Sequence, residues 1–343
     1  MISAITAGLL SLSLTIGQIQ ETPDRLVSSH GIEFVNDGRV FLLFAGLNGL
    51  GYSKETLRQG PPLEAPVFHP LRQFTRNAIR PLVTKGDLKA LKKLFDEQGR
   101  SIDNYLKLVL AYDRSLSSSS ADAAGEELKA IASTAQALQK LGGNKALTKL
   151  FDDLSAKQRS HAKDLMAQLE KDFVAMKKYL GSEDLRAPLT LTVIPNPLDA
   201  HNVVRNIKVG EQHFVVVGPG KNAARVEILR QSVRPVVADL VEKNWPKARR
   251  LAQSWRGLKV SKRITERFAD GQAYLIDTLT RALVYKAGIH SSDKNTGDDE
   301  DFIDKESSQG FRWARACIKA LAKRKPSADI ASDFPKFIKT ISP

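Results

Sequence analysis

Apolar positions recur along this chain with two different periods, and the change from one to the other divides it. Residues 40–50 are almost continuously apolar and predict a buried helix. Residues 68–83, 87–97 and 101–112 repeat their apolar side chains at helical spacing and predict amphipathic helices. The stretch 115–120 is serine-rich, interrupted only by Leu116, and reads as a loop. Residues 121–180 are rich in Ala, Leu, Lys and Asp, broken at Gly142-Gly143, which predicts a helical hairpin or a pair of long helices.

At Ala187 the texture changes. Residues 189–195 are β-branched and alternating, and Asn196-Pro197 ends them. Residues 202–209 and 213–217 supply two further strands around Gly210-Glu211, so a small sheet of about three strands is expected. Residues 30–36 also alternate and fit one early strand. After the sheet come a helix from about 222, a second long helix over 264–285, and two short helices over 311–322 and 334–341. Between them, residues 291–305 are polar and acidic around Asp298-Asp299-Glu300-Asp301 and read as a mobile loop. The expected class is therefore α+β and mainly helical. A helical region (25–185) precedes an α+β region (186–343), the two packed together as one body.

Composition sets bounds on function. The 343 residues are 42% hydrophobic and 26% charged, as in an ordinary globular protein. Charge is less ordinary: 52 Lys+Arg against 38 Asp+Glu give +14, which favours anionic partners. A single cysteine, Cys317, excludes an internal disulfide framework and any cysteine-based metal cluster. Nothing after the N-terminus approaches the ~20 apolar residues of a membrane span. Residues 1–17 carry no charged side chain and end in small residues, which suits a secretory signal within residues 1–20. Their lack of Lys or Arg is atypical for such a signal, and a core element of the mature fold is the alternative. The chain is accordingly expected to be exported, to a periplasm or beyond, if those residues are a signal, and cytoplasmic otherwise.

The chemistry centres on one junction. Val215-Val216-Val217 runs into Gly218-Pro219-Gly220 and then an amphipathic helix. In zinc peptidases a helix in such a strand–turn–helix order carries H-E-x-x-H. There two His at i and i+4 offer neutral nitrogens to Zn²⁺, and the Glu activates the bound water. Here the five positions read Arg230-Gln231-Ser232-Val233-Arg234. Guanidinium has only donors and stays protonated, so it cannot ligate zinc. Gln231 cannot take a proton from water as a carboxylate does. Catalysis of that kind is excluded at this place.

Several segments carry a resemblance. They are Phe41-Leu42-Leu43-Phe44-Ala45-Gly46-Leu47-Asn48-Gly49-Leu50-Gly51-Tyr52, His69-Pro70-Leu71-Arg72, His213-Phe214-Val215-Val216-Val217-Gly218-Pro219, the arginine-bearing helix, and Tyr274-Leu275-Ile276-Asp277-Thr278-Leu279-Thr280-Arg281-Ala282. Together they resemble an uncharacterised family of exported bacterial proteins with a zincin-like domain. The resemblance implies a scaffold related to the H-E-x-x-H metallopeptidases with its motif degenerate. It also implies a second helix whose acid once completed the zinc site, Asp277 being the match. Two arrangements remain open: Arg230 or Arg234 fills the vacated space and pairs with Asp277, or all three lie on solvated surfaces. The function implied is a metal-free, inactive pseudo-peptidase that binds a partner such as an extended peptide, or serves structurally, with no catalytic residue and no cofactor.

Two other classes stay in view. Lys247, Arg249, Arg250, Arg256, Lys259, Lys262 and Arg263, interleaved with Trp245 and Trp255, could track an anionic polymer such as nucleic acid or an envelope polymer. Solvated cations with inward-packed Trp residues are the alternative. An active metal-dependent hydrolase with an unrecognised site is the third class. Gly218-Pro219-Gly220-Lys221 lacks the full phosphate-loop spacing, and Asp293 to Asp298 lacks the Gly and Glu of a calcium loop. His201 and His213 lack further ligands at a telling interval, with only Asp199 and Glu211 nearby.

Overall fold

The structure is a computed structural model of the chain. It describes residues 25–28, 31–50, 70–83, 86, 89, 91–93, 102–114, 116, 133–181, 191–200, 203–219, 222–258, 264–265, 268, 270–289, 298–324 and 328–341. The candidate signal at 1–20, most of the predicted helix at 87–97, His69, His201, Gly220, Lys221, Lys259, Lys262, Arg263 and residues 291–297 lie outside them.

The described residues begin with a short hairpin, β1 (Arg25–Val27) and β2 (Glu33–Val35), followed by the buried helix α1 (Gly38–Gly49). Asp37 caps α1, its carboxylate accepting from the amides of Arg39 and Val40. Next come α2 (Pro70–Ile79), α3 (Ile102–Ala111), α4 (Ser133–Gly142) and the 36-residue α5 (Lys145–Leu180). Asn144 caps α5 and Gly181, in the left-handed region at φ 65°, ends it. Then β3 (Leu191–Pro195), β4 (Val204–Val209) and β5 (Gln212–Val217) lead into α6 (Asn222–Lys243) and α7 (Trp245–Ser254). After α7 come α8 (Gly271–Lys286), α9 (Asp299–Ser308), α10 (Ala314–Ala322) and α11 (Ile330–Thr340).

The protein is mainly helical with one mixed sheet of five strands, not three, in the order β1-β2-β3-β5-β4. The two extra strands are the early hairpin: β2 pairs parallel to β3, with Phe34 opposite Val193. Alternation marked residues 30–36 as a strand, but a partner almost 160 positions away leaves no local signal. β3 and β5 are parallel neighbours, and β4 lies antiparallel at the edge, joined to β5 through Gly210-Glu211 with Gly210 at φ 57°.

Helices cover both faces of this sheet, and strand periodicity sorts its side chains between two cores. Phe34, Leu191, Val193, Val215 and Val217 join α6–α11 in one. Ile194, Ile207, Val209, Phe214 and Val216 join α1, α3 and α4 in the other. β5 is buried on both faces, which is why its sequence is a Val run rather than an alternation. Helix α5, about 54 Å long at 1.5 Å per residue, serves both. Leu147, Phe151 and Leu154 enter the second core, while Leu165, Leu169, Phe173 and Met176 enter the first.

Two predicted boundaries move. The acidic stretch read as a mobile loop is in part helix α9: Asp298 accepts from Asp301 N at 2.9 Å, and Asp299, Glu300 and Asp301 sit in its first turn. Acid at a helix N-terminus is stabilised by the macrodipole, so a run typical of a loop here starts a helix. The long helix predicted from 264 begins at Gly271, where Asp270 caps it through Ala273 N at 2.8 Å. Gly271 is dictated by packing. A Cβ there would overlap Ala252 O and stand 2.8 Å from Trp255 Cβ, so α8 can approach α7 only without one. Among the described residues, no helix is long and apolar enough to cross a membrane.

Candidate functional site

Helix α6 buries Val226, Ile228, Leu229, Val233, Val237, Leu240 and Val241 beneath the sheet. Glu227, Arg230, Gln231 and Arg234 follow one another at i, i+3, i+4 and i+7 along the flank of that apolar stripe. Helix α8 packs against α6 and presents Asp277 and Arg281, again four residues apart. Helix α9 contributes Glu306, and the edge strand β4 contributes Asn206.

These side chains form one chain of ion pairs. Arg234 Nη1 donates to Asp277 Oδ1 at 2.9 Å, and Arg281 Nε donates to Asp277 Oδ2 at 2.7 Å. Arg281 Nη1 continues to Glu306 Oε2 at 3.0 Å, and Arg230 Nη2 reaches Glu306 Oε1 at 3.4 Å. Arg230 also pairs with Glu227 at 3.7 Å, whose Oε1 accepts from Gln231 and Asn206, both at 2.8 Å. Among the described residues, three guanidinium groups thus alternate with three carboxylates, and these six side chains sum to zero charge. Asp277, Arg281 and Glu306 are buried. Arg281 also lies 4.0 Å over the ring of Phe311, a cation–π contact in a desolvated place.

The electrostatics follow from that order. Burial works against the charge of Arg281, but Asp277, Glu306 and Glu227 outweigh it and hold its pKa above the usual guanidinium value. Arg230 shifts the other way. Burial, then the nearby Arg281, press its pKa down against Glu306, Glu227 and Asp277, and its buried Nε has no hydrogen-bond partner among the described residues. Arg234 is the outer member, with its side chain 36% exposed.

Of the residues read from the sequence, Arg230, Gln231, Arg234 and Asp277 therefore come together, with Arg234 rather than Arg230 on Asp277. Sequence reasoning missed Arg281, Glu306, Glu227 and Asn206. Arg281 had a signal, standing four residues after Asp277 on a helical pattern. Glu306 had none: it stands just past the stretch 291–305 read as loop, and no spacing rule links it to α6 or α8. The arrangement does not fit a zinc ion: the guanidinium groups carry no lone pair, and each carboxylate is bridged to its neighbour by one. Among the described residues no group of three or more His, Cys, Asp or Glu is arranged to hold a metal. Asp199 pairs with Arg205 at 2.7 Å. Two candidate nucleophiles of this half are occupied or shielded. Ser232 is buried and donates to Ile228 O at 2.9 Å, while burial alone raises the pKa of Cys317 to about 12.

The basic cluster separates from its aromatics. Lys247, Arg249 and Arg250 are exposed on α7, and the side chain of Arg256, like Lys259, Lys262 and Arg263, lies outside the described residues. Trp255 packs inward, 4.4 Å from Tyr274 and 6.4 Å from Phe268, and Trp245 lies against the same core. Both rings are partly buried against that core rather than set out beside the lysines and arginines. On the opposite face of the sheet a cleft of about 680 Å³ is lined by Glu33, Asp37, Arg39, Arg114, Thr192 and Phe214. Asp37 and Arg39 pair with each other there at 2.5 Å.

Comparison with protein-family models, with curated proteins and with solved structures returned no match.

Proposed function

We propose that this chain is a catalytically inactive, metal-free zincin-like pseudo-peptidase that works by binding or as a structural element. The observation that carries the proposal is the neutral chain of three arginines and three carboxylates at the strand–turn–helix junction. In an H-E-x-x-H scaffold a buried acid on the later helix faces a dication. Losing that ion would leave an unpaired buried charge, at a cost of several kcal/mol. Arg234 and Arg281 supply positive charge to Asp277 instead. The remaining capability of such a cleft is to hold a ligand, and β4 at the sheet edge suits an extended peptide added as a strand. Export belongs to the same proposal and rests on residues 1–17.

Metal analysis of the purified chain, together with a peptidase assay against mixed peptides, tests the proposal. The expected result is no bound zinc and no turnover. Stoichiometric zinc with chelator-sensitive hydrolysis would overturn it and favour the hydrolase class. Exposure of Lys247, Arg249 and Arg250 supports a second reading, binding of an anionic polymer. Nucleic-acid affinity falling steeply with salt would favour it.

A further inference from the structure

The edge of the sheet nearest the ionic cluster is built with a charge preference. β4 has one strand partner among the described residues, β5, and its side chains alternate. Arg205, Ile207 and Val209 are buried, whereas Asn206 and Lys208 are exposed. Asn206 hydrogen-bonds Glu227 of α6, so this exposed row faces the helix of the cluster. Lys208 stands directly across from His213 of β5. Two helical turns beyond Glu227, Arg234 donates one N–H to Asp277, its one hydrogen bond among the described residues. Asp277 is fixed in turn by Arg281, so the guanidinium is anchored at one corner and offers its other donors to solvent. Burial, then Lys208, lower the pKa of His213, and Arg234 adds to the effect while Glu211 in the adjacent turn opposes it.

We propose that the segment taken up beside β4 is acidic, with Asp or Glu at alternate positions whose carboxylates meet Lys208 and Arg234. The inference rests on the strand-addition reading above and names the class of peptide it takes. An added strand projects every second side chain to the face that carries Asn206 and Lys208. Opposite charges directly across a strand pair stabilise it, and like charges destabilise it. The net charge of +14 draws acidic segments toward the molecule before contact.

Affinity selection of a random octapeptide library on the full chain, with sequencing of the retained pool, tests this. The expected pool carries Asp or Glu two positions apart, enriched about fivefold per position from a cross-strand pair near 1 kcal/mol. Lys208→Glu, on an exposed side chain away from the buried pairs, should turn the preference at one position toward Lys or Arg. Peptides retained without any acidic preference, or a preference that Lys208→Glu leaves unchanged, would overturn the inference and leave strand addition standing. No retention above a blank surface would overturn strand addition itself, and the inference with it.

Discussion

Replacing Arg281 by Ala removes the central cation of the cluster and should cost far more than replacing Arg234. Arg281 donates to two buried carboxylates, Asp277 at 2.7 Å and Glu306 at 3.0 Å. Deleting one partner of a buried ion pair costs about 3–5 kcal/mol, because the remaining charge stays desolvated. Two features adjust that figure in opposite directions. Asp277 keeps Arg234 at 2.9 Å and Glu306 keeps Arg230 at 3.4 Å, which softens the loss. The contact with Phe311 is lost as well, worth roughly 1–2 kcal/mol in a desolvated setting. The expected loss stays about 3–5 kcal/mol. Arg234→Ala removes a cation that is 36% exposed and leaves Asp277 its closer partner, so about 1 kcal/mol is expected. Urea unfolding followed by Trp fluorescence measures both, provided the denaturant slope is unchanged. Equal losses for the two variants, or an Arg281→Ala loss within about 0.5 kcal/mol, would refute the account of the cluster.

Three further outcomes can be checked. Gly271→Ala should lose about 1–3 kcal/mol or more by overpacking, since its methyl would overlap Ala252 O; a thermal melt like that of the parent would contradict the α7–α8 contact. Burial raises the pKa of Cys317 from 9.0 to about 12 and that of Tyr274 from 10.0 to about 12. The unfolded thiol ionises first, so stability should fall as pH rises above 9.0, by about 1.4 kcal/mol per unit for this group alone. Cys317→Ala should flatten unfolding data between pH 9 and 10, and an unchanged slope would count against burial of the thiol. NMR titration of His213 should give a pKa below 6.5, lowered by burial and then by Lys208, and rising in Lys208→Ala; no rise in that variant would contradict the positive field at that edge.

Much of the local structure was legible because it is written in short-range periods. The alternation of β3 and β4, the Val run of β5 and the apolar stretch of α1 each identify their element without a partner. What periodicity leaves out is which elements meet. The pairing of β2 with β3 depends on residues from opposite ends of 150-odd positions. The acids of α9 have the same composition whether they cap a helix or solvate a loop, and only the Asp298 cap decides it. The cluster shows the same limit. The spacing of Arg230, Arg234 and Asp277 posed a pairing or a solvated face, and packing of α8 on α6 brings Arg234 to Asp277. Glu306 enters from a third helix that no spacing rule links to the other two.

The parallel register of Glu33 with Thr192 has a consequence for how the molecule is made. A ribosome releases the first hairpin long before the strand beside which it will lie. Until β3 has emerged as well, β2 has no parallel neighbour and exposes one edge to whatever is nearby. Closing so long a loop before any reward for it is gained slows assembly of the sheet. The early helices must therefore cohere on their own, and the capped, buried and mostly apolar α1 supplies a surface around which they can wait.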